Sequence, residues 1–176
     1  MAGVQLSDDR RGERSVRRRR RRWWSLSALA LIGLVTFVLV WFQPQKLFID
    51  DRVEESIPNA AGEPVVVASG EFISLDHGTK GTATVLAFGS ERRFLRLEGF
   101  DTSNGPALYL YLSANPAAGD EGAFDDEFVN LGRLKGNQGS QNYELPRGTD
   151  LRRFATVLVW CDRFNSAFGA ADLALV

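Results

Sequence analysis

The sequence predicts an all-β protein: a β-sandwich of about eight or nine strands, immunoglobulin-like or jelly-roll-like, preceded by one N-terminal transmembrane α-helix. Three observations carry this expectation. An uncharged run of twenty residues, Trp23 to Phe42, stands near the N-terminus. Beyond it, short apolar runs alternate with turn residues, and Leu108, Leu110 and Leu112 interleave with Tyr109 and Tyr111 at a strict period of two. No convincing amphipathic helix follows, and many short strands with frequent turns pack as sandwiches or closed barrels.

Residues 1–22 form a basic tail. Nine arginines there, six of them the run Arg17, Arg18, Arg19, Arg20, Arg21 and Arg22, oppose three acids. The tail is therefore +6, and the rest of the chain carries −7 of the overall −1. An acidic body argues against nucleic acid as a partner, since that binding rests on neutralising phosphates.

Residues 23–42 read as the membrane anchor. At about 1.5 Å per residue, twenty helical residues span roughly 30 Å, the hydrocarbon thickness of a bilayer. Trp23 and Trp24 at one end and Trp41 and Phe42 at the other suit the headgroup level. By the positive-inside rule, the arginine run stays cytoplasmic and sends the rest outward. The expected product is a single-pass protein of the cell membrane, its C-terminal domain extracytoplasmic. A cleaved signal peptide fits less well: its apolar core is usually about 7–15 residues and ends at small residues. Here the core is longer and ends in Val-Trp-Phe-Gln-Pro. A twin-arginine export signal at Arg21-Arg22 is disfavoured by the residues that follow.

Residues 43–63 mix charges with Pro44, Pro58 and Gly62 and read as a stalk, with a short helix over 48–57. The domain occupies 64–176. Its expected strands are 65–68, 71–75, 82–88, 93–97, 107–113, 128–134, 141–145, 154–161 and 167–175. The run 154–161 is apolar almost throughout, as for a central strand covered on both faces. Lys135-Gly-Asn-Gln-Gly139 reads as a hairpin turn.

Reactive residues are scarce. Cys161 is the one cysteine and His77 the one histidine, so no internal disulfide, cysteine-based zinc site or multi-histidine centre can form. A hydrolase is not expected, for want of an identifiable nucleophile, base and orienting group; whether the chain is an enzyme of another kind stays open.

The span from Gly70 to Leu173 resembles the DM-thirteen domain, an extracellular module of Skeletor-like proteins and of many bacterial membrane proteins. The resemblance rests on Gly70-Glu-Phe72 with His77, Gly81-Thr-Ala-Thr84, Leu95-Arg-Leu-Glu-Gly-Phe100, and Gly105-Pro106 before Leu108-Tyr-Leu-Tyr-Leu112. It continues through Leu131-Gly-Arg-Leu-Lys-Gly-Asn-Gln-Gly139, Tyr143-Glu-Leu-Pro146, Val157-Leu-Val-Trp-Cys161, Phe164, and Phe168-Gly169 with Ala171. It implies a bacterial membrane protein with an electron-transfer role, the cysteine at Cys161 being the suggested redox centre or cofactor ligand. Ala107 departs from the pattern, which usually has aspartate there.

Each candidate has two readings. Counting by twos, Cys161 shares a face with Val157 and Val159, so it is either a small buried hydrophobe or a thiol at a strand end activated by nearby Arg163. His77 is a loop residue, or it joins Cys161 as a ligand to haem or copper. The chain has no C-x-x-C-H attachment, so any cofactor stays unknown, with haem as the candidate. Tyr143 and Trp160 are core aromatics or electron relays. The acidic loop Asp120 to Glu127 is a solvated loop or a calcium site. The expected partners are the lipid bilayer and a membrane or cell-envelope redox protein. The competing expectation is a non-catalytic binding or cell-envelope structural module with Cys161 buried and inert.

Overall fold

The computed structural model describes residues 9–41, 50–59, 62–89, 92–119, 123–124 and 126–176, with only the backbone at 9–22. The chain divides into two units, 1–44 and 45–176. The first is the helix α1, Asp9–Trp41. Its segment Trp23–Trp41 has a mean hydropathy of 2.1 and none of it is buried. Length and composition suffice to cross a membrane, a test that an N-terminal signal sequence also passes. Trp23, Trp24 and Trp41 lie near its ends, and Trp41 stacks on Phe37 one turn back at 5.8 Å. Phe42 and the side chains of Arg17 to Arg22 lie outside the described residues.

The second unit is all-β, a two-sheet sandwich as the pattern predicts. Its eleven described strands are β1 (Arg52–Glu54), β2 (Val65–Glu71), β3 (Ile73–Ser74), β4 (Thr79–Phe88), β5 (Arg92–Thr102), β6 (Leu108–Ser113), β7 (Phe128–Arg133), β8 (Gln138–Glu144), β9 (Thr156–Cys161), β10 (Ser166–Asp172) and β11 (Ala174–Leu175). One sheet runs β1-β8-β5-β4-β2-β11 and the other β3-β10-β9-β6-β7. Alternation sets the faces: Val85, Leu95, Leu97 and Tyr143 from the first sheet meet Leu110, Leu112, Val157 and Val159 from the second in one core.

Strand β9 is buried on both faces, as its continuous apolar run requires. Val157, Val159 and Cys161 face the inter-sheet core. Leu158 and Trp160 face outward, where Ala117 and Phe124 of the 114–127 connection cover them. Ser113 Oγ holds that cover down by donating to the Phe124 carbonyl at 3.1 Å.

Three expectations change. The strands expected at 65–68 and 71–75 are instead one strand, β2, followed by the short β3 in the other sheet, and 167–175 divides likewise into β10 and β11. The β2–β3 and β10–β11 segments pair as an antiparallel ribbon that passes from sheet to sheet, with Phe72 and Leu173 buried at the crossing. Composition carries no mark of a strand changing sheets. No helix forms in the described part of 48–57; Arg52–Glu54 is β1, parallel to β8, and residues 48 and 49 lie outside the described residues. The glycine run 135–139 is more than a turn, because Gly139 is within β8 and both Gly136 and Gly139 clear space for the segment 51–54 that carries β1. A Cβ on Gly136 would strike the carbonyl oxygen of Asp51, and one on Gly139 that of Val53.

Candidate functional site

Cys161 closes β9 with no exposed surface. Its strand neighbours are Leu108 on β6 and Ser166 on β10. The chain beyond is latched shut. Asp162 N–H donates to the Ala107 carbonyl at 3.0 Å, and Phe164 N–H to that of Cys161 at 3.2 Å. The backbone at Gly105 sits so close to Leu108 and Phe168 that an added Cβ would lie 2.8 Å from Leu108 Cδ2 and 3.1 Å from Phe168 Cζ. A side chain enclosed in this way meets no reagent unless that end opens. Arg163, offered by the sequence as its activator, is in the exposed turn.

His77 is exposed in the turn after β3. Its ring lies on Phe168 at 3.9 Å and 37°, and its backbone N–H donates to the Phe168 carbonyl at 3.3 Å. Phe168 belongs to the core that holds Cys161, so His77 packs on a member of that core.

Tyr143 shares the core with Cys161, whereas Trp160 is on the other face of β9. The phenol donates to Gln141 Oε1 at 2.7 Å and accepts from Lys135 N–H at 2.9 Å. Burial pushes its pKa well above the usual 10.0, the Lys135 N–H offsets part of this, and the Glu55 carboxylate adds to the rise. An oxidised tyrosine must give up its proton, and the carboxamide oxygen of Gln141 is not a base that would take it.

Cys161 is buried in the inter-sheet core, whereas His77, its suggested partner in holding a haem or copper, is exposed in a turn against Phe168. One small pocket, ≈ 80 Å³, is lined by Asp51, Asn104, Leu108, Arg133 and Asn137 among others; a shallower cleft, ≈ 390 Å³, is lined by Ser74, Thr79, Lys80, Asp101 and Ser103 among others. Both are lined largely by polar groups, where a haem requires a deep apolar slot. Among the described residues no three His, Cys, Asp or Glu side chains gather to hold a metal. Of the acidic loop, Asp120, Glu121 and Asp125 lie outside the described residues; Asp126 is exposed and Glu127 pairs with Arg153.

Sequence reasoning missed a polar cluster in the supposed stalk. Glu55 accepts from Lys135 Nζ at 2.7 Å and from Asn142 N–H at 2.7 Å, and its carbonyl takes Arg96 Nη1 at 3.0 Å. Asn137 receives Asp51 N–H at 2.7 Å and donates to Asp50 Oδ1 at 2.9 Å. Burial alone would raise the Glu55 pKa, but Lys135 and the Asn142 N–H outweigh it and hold the carboxyl below its usual value. The signal available was a run of acids, Asp50, Asp51, Glu54 and Glu55, opposite in charge to the lysine of the glycine-rich segment 135–139.

A family model described as electron transfer DM13 matches residues 71–173. The chain belongs to the DM13 family. No curated protein and no solved structure matches the chain. The DM13 match leaves out β1, most of β2 and β11, all of which belong to the six-stranded sheet. Much of the glycine-rich segment inside the DM13 match therefore serves a strand outside it. Ala107 is buried and gives its carbonyl to the latch over Cys161.

Proposed function

We propose that this DM13 protein is anchored in a cell membrane by the 23–42 helix, with residues 1–22 cytoplasmic and the β-domain outside. There the domain serves an electron-transfer system as a binding module for a membrane or cell-envelope redox protein. In this reading Cys161 packs the core and carries no electrons itself. The observation that carries it is the complete enclosure of Cys161 between Leu108, Val159 and the Ala107–Asp162 latch. The test uses full-length protein from its native host: its visible spectrum, and a thiol-reagent titration of Cys161 before and after unfolding. The expected result is a colourless protein whose thiol reacts only once unfolded.

The family description favours a second reading, in which Cys161 is the redox centre or a cofactor ligand. Its place at a strand end, next to an exposed turn, gives the opening through which that role would work. A bound chromophore or a thiol reactive in the folded state would select it.

A further inference from the structure

The sheet edges of the domain are unequal. Three of the four outermost described strands are only two or three residues long: β3, β11 and β1. Short edges and edge charges, here Arg52 and Glu54, are the usual protection against stray pairing. The fourth, β7, runs six residues from Phe128 to Arg133 and pairs on one side only, with β6. It has no proline and no lysine, and Phe128, Asn130 and Arg133 are exposed on it.

Its backbone says which groups are free to pair. Ala114 N–H donates to the Glu127 carbonyl at 3.1 Å, and the register continues Ser113↔Phe128, Leu112↔Val129 and Tyr111↔Asn130. Antiparallel pairs alternate between bonded and non-bonded, so Val129 points its N–H and C=O at β6 while Phe128 and Asn130 point theirs outward. A bulge then takes up Leu131–Gly132, because Tyr111 pairs with Asn130 and Tyr109 with Arg133.

The strand is also self-complementary. Its start carries Asp126 and Glu127, the latter paired with Arg153, and its end carries Arg133, seated over the Tyr109 ring, followed by Lys135, which pairs with Glu55; a second copy would share or exchange these exposed partners. Against an antiparallel copy centred on Asn130, the bulge counts as one position. Phe128 of each copy then faces Arg133 of the other, a cation–π pair, with the acids one step beyond beside the partner's basic end. Phe128 is already stacked on Tyr111 at 4.3 Å, which holds its ring in place for this.

We propose that β7 is a self-association edge, where a second copy of this chain adds antiparallel across Asn130 to join two five-stranded sheets. Three or so outward residues make a weak contact in solution. Confinement to a membrane would raise the effective concentration enough for it to form.

The test is disulfide cross-linking of the full-length chain in its membrane. Asn130→Cys places a thiol on the two-fold axis; Glu98→Cys, exposed on the other sheet, controls for random encounter. Asn130→Cys is expected to give dimer at least tenfold faster than Glu98→Cys. Adding Arg133→Glu is expected to slow it severalfold, and adding Glu127→Arg to that variant to restore it. Circular dichroism and a thermal melt of each variant check that it is folded. Equal rates for the Asn130→Cys and Glu98→Cys chains, each carrying Cys161→Ala so that the engineered thiol is the only one, or folded Arg133→Glu protein with an undiminished rate, would overturn the proposal.

Discussion

Gly139→Ala tests how firmly β1 is held to the domain. Gly139 lies in β8 at φ +100°, and an added Cβ would collide with the Val53 carbonyl oxygen. The backbone strain alone costs about 1–2 kcal/mol for a residue with a Cβ. Relief of the clash requires β1 to move off. That weakens the Glu55 N–H bond to the Ser140 carbonyl, 2.8 Å, and the Gln138 N–H bond to the Asp51 carbonyl, 3.3 Å. At roughly 0.5–1.5 kcal/mol net for each, the total loss comes to about 2–5 kcal/mol. Gly132→Ala is the internal control, since Gly132 has φ +105° but open space around an added Cβ. It should show the strain and nothing more, about 1–2 kcal/mol. Denaturant melts of both variants give the difference, and limited trypsin digestion reads the strand directly through cleavage after Arg52. The reasoning fails if the two variants lose equal stability and Arg52 stays as protected in Gly139→Ala as in the parent.

Three further outcomes follow from the same geometry. Phe124→Ala removes the side chain that seals the outer face of β9, so it should cost about 3–5 kcal/mol and shift tryptophan emission to the red as Trp160 gains water; an unchanged spectrum would contradict that packing. Because the Tyr143 pKa is raised, its stabilising share is complete below pH 10.0 and declines above it, as the unfolded chain ionises and the folded one resists. Ultraviolet titration should therefore find this phenol protonated at pH 11, with Tyr143→Phe removing no absorbance step there. Glu55 has the opposite sign: its lowered pKa gives stability that is present above pH 4.5 and lost as pH falls through the folded value. Its ion pair with Lys135 is partly exposed, so Glu55→Gln should cost at most about 1 kcal/mol at pH 7 and flatten the acid limb of a stability–pH curve.

Periodicity made most of the sandwich legible. The alternation in Leu108–Ser113 located β6, and the unbroken apolar run before Cys161 marked a strand with both faces covered. It also placed Cys161 with Val157 and Val159, the face on which it is found. What periodicity could not supply was partnership. Arg52–Glu54 is too short and charged to carry a strand pattern, and its β character comes from β8 and two glycines more than eighty residues away. The sheet change at Phe72 and Leu173 is equally non-local. For the site, composition named Cys161 and His77 because they are the only residues of their kind, yet whether they meet depends on Phe168, which stacks on one and shares a core with the other.

The most direct test of the central claim is the rate at which Cys161 reacts with a small thiol reagent in the folded, full-length protein. If Cys161 is a core residue, labelling should be no faster than opening of the domain, and it should slow in step with any stabilising condition. Rapid labelling that is independent of stability would mean the latch between Ala107 and Asp162 admits solvent in the native state, and Cys161 would return as the redox centre.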